Sequence, residues 1–206
     1  MSNEFVSHEQ KASYGVGLNM GAQLLQQTFD GLDIDAVAAG VKDAFTRSQL
    51  AVPQEEIQAA FEVISKVMEK KQAELSKQQA EAGRVFLEEN EKKEGVQVTE
   101  SGLQYEIITE GAGDKPTATS TVRTHYHGTL VDGTVFDSSY ERGQPAEFAV
   151  NGVIKGWTEA LQMMPVGSKW RLTIPYELAY GEQGAGGAIA PYSTLVFDVE
   201  LLEIVS

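Results

Sequence analysis

The chain has 206 residues, 42% of them apolar, which allows one large domain or two small ones and is too apolar for a disordered segment. Its 30 acidic and 16 basic residues give a formal net charge of −14, spread over both halves; such a surface repels a phosphate backbone, so no nucleic-acid partner is expected. There is no cysteine, which removes disulfides, thiolate metal sites and cysteine nucleophiles.

The opening residues, Met1 to Glu9, lack the basic and then apolar regions of a secretory signal. No run approaches the roughly 20 apolar residues of a membrane span. A cytoplasmic protein without a membrane span is the expectation.

Glycine and proline divide the sequence. Between Pro53 and Glu94 there is no further proline and Gly83 is the sole glycine, whereas from Gly95 onward both recur every few residues. That marks a change from helices to strands and turns. A first helix is expected from about Ser7 to Phe29, with Tyr14, Leu18, Leu25 and Phe29 near helical spacing. Gly15, Gly17 and Gly21 interrupt it; they fit either a close approach by another backbone or a weak, frayed helix. A second helix, capped by Asp33 or Asp35, reaches about Ser48, with Ile34, Val37, Val41 and Phe45 on one face.

Pro53 opens a third helix with Glu55 and Glu56 in its first turn. It is expected to run to about Lys93, on the order of 40 residues. Its apolar stripe thins between Glu69 and Gly83, as in a helix that bridges two bodies through solvent. A break near Gly83 is the alternative. Residues 1–52 are thus expected to form a helical head, 53–94 a stalk that starts within the head, and 95–206 a globular domain. The head is small for its apolar content, a size at which one core is marginal, so a homodimer through residues 1–60, approximately, is expected.

The C-terminal half alternates. Val122, Tyr126 and Leu130 share one strand face, as do Trp170, Leu172 and Ile174, and Leu195, Phe197, Val199 and Leu201. Asp132-Gly133 signals a hairpin, and Gly156 to Met163 can form one short helix. The expected domain is α+β, an antiparallel sheet packed on that helix.

Conventional catalytic groups are scarce. His125 and His127 project to one side of a strand without a third metal ligand, and belong on a solvated face. Ser138-Ser139 lacks the turn of a nucleophilic serine, and Gly184 to Gly187 is not followed by a helix that could cradle phosphate. What remains is an aromatic and apolar set: Tyr126, Phe136, Phe148, Val153, Ile154, Trp157, Tyr180, Ile189 and Phe197, with Asp137 among them. A carboxylate in such company must be paired if buried, and Arg142 and Tyr126 can both reach it.

In order and spacing, five blocks resemble the FKBP-type peptidyl-prolyl isomerases: His125-Tyr126-His127-Gly128, Asp132 to Ser139, Val153 to Trp157, Ala179-Tyr180-Gly181 and Thr194 to Leu201. The helical head and long third helix resemble the dimeric Mip-like bacterial subfamily. The resemblance implies a curved antiparallel sheet wrapped on one short helix, with the pocket between them. Trp157 would form its floor, and Tyr126, Phe136, Phe148, Val153, Ile154 and Phe197 its walls. The Ile154 amide and Tyr180 hydroxyl would bind substrate carbonyls. Asp137, held by Tyr126 and Arg142, would face the reacting amide, with Ile189 also contacting substrate. Neither metal nor organic cofactor is called for. The implied partners are proline-containing peptides, unfolded or folding proteins, and macrolide inhibitors such as tacrolimus and rapamycin. Ala146, Ala185 and Ala188 stand where the family often has larger groups, which implies a shallower rim. Two other readings fit the same residues: a non-catalytic module that grips proline segments, and a chaperone adaptor working through the head.

Overall fold

The computed structural model describes residues 5–26 and 28–206. Met1 to Glu4 and Gln27, which the expected head includes, lie outside the described residues. The chain divides into two compact units, one ending at Lys71 and the other beginning at Gln72.

The first unit holds helix α1 (His8–Gln26), helix α2 (Ile34–Thr46) and the start of helix α3 (Gln54–Asn90). Ser7 opens α1 through a capping box: its hydroxyl accepts from the Gln10 amide, and the Gln10 side chain accepts from the Ser7 amide. Asp33, rather than Asp35, caps α2 by accepting from the amides of Asp35 and Ala36. The helix then stops at Arg47, which takes a left-handed conformation with φ of 52°.

Helix α3 is continuous through Gly83, so the alternative of a break there falls away. Gly83 is present for another reason. A Cβ at this position would lie 2.4 Å from Thr194 Oγ1, so only glycine lets the helix pass this close. Two turns further on, buried Asn90 donates to Gln104 Oε1 at 2.9 Å and to Thr173 Oγ1 at 3.3 Å. Gln104 in turn donates to the Leu87 carbonyl. The end of α3 is therefore fixed to the sheet by buried amides.

The second unit is a seven-stranded antiparallel sheet. Its strands are β1 (Val96–Val98), β2 (Gln104–Thr109), β3 (Thr121–Leu130), β4 (Val135–Ser138), β5 (Ala146–Ala149), β6 (Lys169–Ile174) and β7 (Leu195–Ile204). The order is β1-β2-β6-β7-β3-β4, and β5 also pairs with β3. Strand β3 thus has β7 on one edge, and both β4 and β5 on the other. Helix α4 (Lys155–Met163) buries Gly156, Trp157, Ala160 and Leu161. Gly156 lets it sit against Ile174, where a Cβ would come within 2.6 Å of Cγ2. Neighbouring residues on a strand point to opposite faces. Ile174 meets α4 and Thr173 meets α3, so the two helices lie on opposite faces of the sheet.

The core follows the expected alternation. Val122 and Tyr126 of β3, Trp170, Leu172 and Ile174 of β6, and Leu195, Phe197, Val199 and Leu201 of β7 are all buried. Each fully buried aliphatic side chain contributes roughly 1.5–3 kcal/mol. Asp132-Gly133 forms the β3–β4 turn, with Gly133 at φ of 87° and the Thr134 amide donating to Asp132.

Candidate active site

Sheet and α4 enclose a cavity of about 460 Å³ lined by Tyr126, Phe136, Asp137, Phe148, Gly152, Val153, Ile154, Trp157, Tyr180 and Phe197. Trp157 forms the floor and is 4% exposed. Three rings meet its indole nearly at right angles: Tyr126 at 5.3 Å, Phe148 at 5.6 Å and Phe197 at 5.3 Å between centroids. Phe136 meets Phe197 the same way at 5.4 Å. Edge-to-face contacts of this kind add about 0.5–1.5 kcal/mol each beyond area burial and fix the ring orientations. The cavity is rigid and has few polar groups.

Its main charge is held at the wall. The Tyr126 hydroxyl donates to Asp137 Oδ2 at 2.6 Å, and Arg142 donates to the Tyr126 oxygen at 2.7 Å and also pairs with Asp137. Burial works to raise the Asp137 carboxyl, but the hydrogen bonds from Tyr126 and Arg142 and the Arg142 charge outweigh it and hold it below the usual carboxylate range. The clamp stays ionised at neutral pH. Its contribution to stability is complete above the ordinary carboxylate range and is lost as the pH falls through the lowered value. Burial first, and then the bond to Asp137, push the Tyr126 phenol above its usual value.

Ile154 precedes α4, and its carbonyl accepts from Thr158 at 3.0 Å. Among the described residues its own N–H has no acceptor, and it lines the cavity. This amide is a ready donor for a bound carbonyl. Tyr180 lines the same cavity and is 40% exposed.

The amino-acid sequence itself finds its counterparts over the same residues. Residues 113–202 match the family model described as FKBP-type peptidyl-prolyl cis-trans isomerase, and residues 9–107 match that of the domain amino terminal to it. The chain is 54% identical over 200 residues to the FKBP-type 22 kDa peptidyl-prolyl cis-trans isomerase of Escherichia coli, covering 97% of each. The chain belongs to the FKBP-type peptidyl-prolyl cis–trans isomerases. It is also 41% identical to the outer membrane protein MIP of Legionella longbeachae, over 98% of this chain and 88% of that one. The crystal structure of FkpA from Escherichia coli shares the fold with a TM-score of 0.71 and 38% identity, over 97% of this chain and 98% of that one. Like those relatives, this isomerase pairs an amino-terminal helical domain with an FKBP domain.

Nine of the eleven residues expected at the site line the cavity. Arg142 acts from behind it by holding Asp137 and Tyr126. Ile189 departs from expectation and is not among the lining residues. It is 8% exposed, and its backbone pairs with Ala185 in both directions, at 2.9 and 3.0 Å. Its side chain anchors the loop after Tyr180 in the core. His125 also departs, being half-buried rather than on a solvated face. Its Nδ1 lies 2.9 Å from Ser139 Oγ and its ring stacks on Tyr140 at 4.6 Å.

Two supporting residues escape a reading of the sequence alone. Ser139 is fully buried and accepts from the Tyr126 amide at 2.7 Å, while its own amide donates to the Tyr126 carbonyl at 3.0 Å. It locks the strand that carries Tyr126. A Cβ on Gly128 would fall 2.7 Å from both Phe136 Cζ and Phe197 Cε1. The missing side chain is what lets those rings cross. A glycine in the middle of an alternating strand was the available signal.

Proposed function

We propose that this enzyme turns X–Pro bonds by holding the twisted amide in the Trp157 cavity, and that its substrates are proline segments of unfolded and folding proteins. Rotation about the bond costs roughly 18–20 kcal/mol because the planar amide loses resonance, while the two isomers of an X–Pro bond differ by only about 0.5–1 kcal/mol. Binding the twisted form better than either planar form is therefore sufficient. The proline ring seats on Trp157. The aromatic walls keep water away, which favours the less polarised twisted amide. The Ile154 N–H and the Tyr180 hydroxyl hold flanking carbonyls, and Asp137, fixed by Tyr126 and Arg142, faces the reacting amide.

The observation that carries this reading is the enclosed indole ringed edge-on by three aromatics, with an unspent backbone donor beside it. Turnover of a proline tetrapeptide tests it. Trp157→Leu and Asp137→Leu should each lose about tenfold or more in kcat/KM, and Tyr180→Phe less. Full activity in Trp157→Leu would remove the floor from the mechanism.

The apolar faces of the helical unit support a homodimer through residues 1–60, approximately. Phe45 is 90% exposed, Phe61 61% and Leu18 57%. Large apolar side chains left this exposed are surface that a second copy would cover. Two copies would place two cavities in one particle that can hold a folding client. The same cavity accommodates the proline-like ring of a macrolide; inhibition by rapamycin, weakened by the small side chains of Ala146, Ala185 and Ala188, tests that part. Cytoplasmic residence is likewise a proposal, since one relative is named an outer membrane protein; fractionation of the native host decides it.

A further inference from the structure

The catalytic unit carries a second depression, of about 800 Å³, beside the C-terminal half of α3. Two faces of the helix diverge here. Gly83, Leu87 and Asn90 lie at i, i+4 and i+7 and turn to the sheet, where Gly83 and Asn90 are buried. Ala82, Val85 and Phe86 lie on another face and line the depression, with Val131 of the β3–β4 turn also lining it. Val85 is 40% exposed. Phe86 is half-buried and also borders the sheet beside Asn90, whereas Ala82 and Val85 are exposed.

The rim is acidic. Glu74, Glu89 and Asp132 border the groove and form no ion pair among the described residues. Glu81 also borders it, but Arg84 neutralises it through two hydrogen bonds. Against these carboxylates stand Lys77 on the rim and Lys93, whose ammonium lies over the Phe86 ring at 5.6 Å, so carboxylates are in excess. An apolar strip edged by an excess of carboxylates complements a segment of opposite pattern, a bulky apolar side chain flanked by cations.

From this geometry we infer that the groove is a second contact for protein substrates, receiving a lysine- or arginine-flanked apolar segment of the client. The inference rests on the isomerase reading, because the hairpin that brings Val131 and Asp132 to the groove continues into Phe136 and Asp137 of the cavity. Asp132 lies in the turn and Phe136 on β4, four residues apart, so at about 3.3 Å per residue they are at most ~13 Å apart. A client segment roughly six or more residues from the bound proline has the reach to bridge them. Short peptides do not, so the groove distinguishes proteins from small substrates.

Two measurements on the full chain separate this inference from the isomerase reading. Fluorescence anisotropy follows binding of a proline-free peptide with a Lys-Leu-Lys core, beside a Glu-Leu-Glu control. Turnover of a proline tetrapeptide runs in parallel. The basic peptide should bind about tenfold tighter than the acidic one, and added salt should weaken it. Glu89→Lys combined with Asp132→Lys, and separately Val85→Lys, should each remove most of that preference while tetrapeptide turnover stays at the wild-type level. Equal binding of the two peptides, or an unchanged preference in both variants, would overturn the groove assignment. Failure of the isomerase reading shows separately, as wild-type tetrapeptide turnover no faster than in solvent.

Discussion

The two compact units treat their apolar residues in opposite ways. From Gln72 onward Leu103, Leu161, Met164, Leu172, Ile174, Leu195 and Leu201 are fully buried. Up to Lys71 no described residue is buried at all, and Leu25 is 76% exposed beside the bare Phe45 and Phe61. Both units alternate apolar and polar residues with correct periodicity. Periodicity therefore makes an element, but a core requires a second surface to meet it. One chain supplies both surfaces for the catalytic unit. For the helical unit it supplies only one, which is why the site chemistry is complete in a single chain while the head asks for another.

The largest test of that contrast is Phe45→Asp. A central aromatic in an interface contributes about 2 kcal/mol or more, and two-fold symmetry makes the substitution count twice. The dimer should weaken by about 4 kcal/mol, roughly a thousandfold in Kd, and light scattering on dilution should show the mass halve. A wild-type protein that is already a monomer at micromolar concentration would end the dimer proposal. In the catalytic unit the corresponding change is Leu172→Ala. It should cost about 2–5 kcal/mol in denaturant unfolding and leave the mass unaltered. A loss much below 1 kcal/mol would mean that the β6 layer is less tightly packed than its complete burial indicates.

What the sequence made legible follows the same division. Strand β6 falls where alternation put it, because Trp170, Leu172 and Ile174 had one core to face. The Trp157 cavity was legible because its aromatics and Asp137 form ordered blocks. The support behind them was not. Ser139 acts through backbone bonds to Tyr126, and Gly128 acts through an absent side chain, so neither announces a partner by its type. The hold on the end of α3 was not legible either, because Asn90 and Gln104 are polar residues that bury themselves by satisfying one another. Ile189 misled, since an apolar residue near a pocket serves equally well to anchor the loop beneath it.

The smallest and most discriminating test compares two helical glycines. Alanine in place of glycine within a helix stabilises by up to about 1 kcal/mol when nothing is in the way. At Gly83 something is: the new Cβ would meet Thr194, which is 1% exposed and cannot swing aside. Overpacking of this kind costs about 1–3 kcal/mol, so Gly83→Ala should destabilise by roughly 1–2 kcal/mol net. At Gly17 nothing in the chain lies within 4 Å of a Cβ, so an isolated chain should gain from alanine. The dimer reading requires the reverse. If a second backbone passes over the α1 face that carries Gly17 and Gly21, Gly17→Ala should weaken the dimer in the dilution experiment even as it strengthens the helix. Urea unfolding and scattering mass on the same variant separate the two effects. A Gly17→Ala protein that is more stable and equally dimeric would show that the contact uses another face of α1.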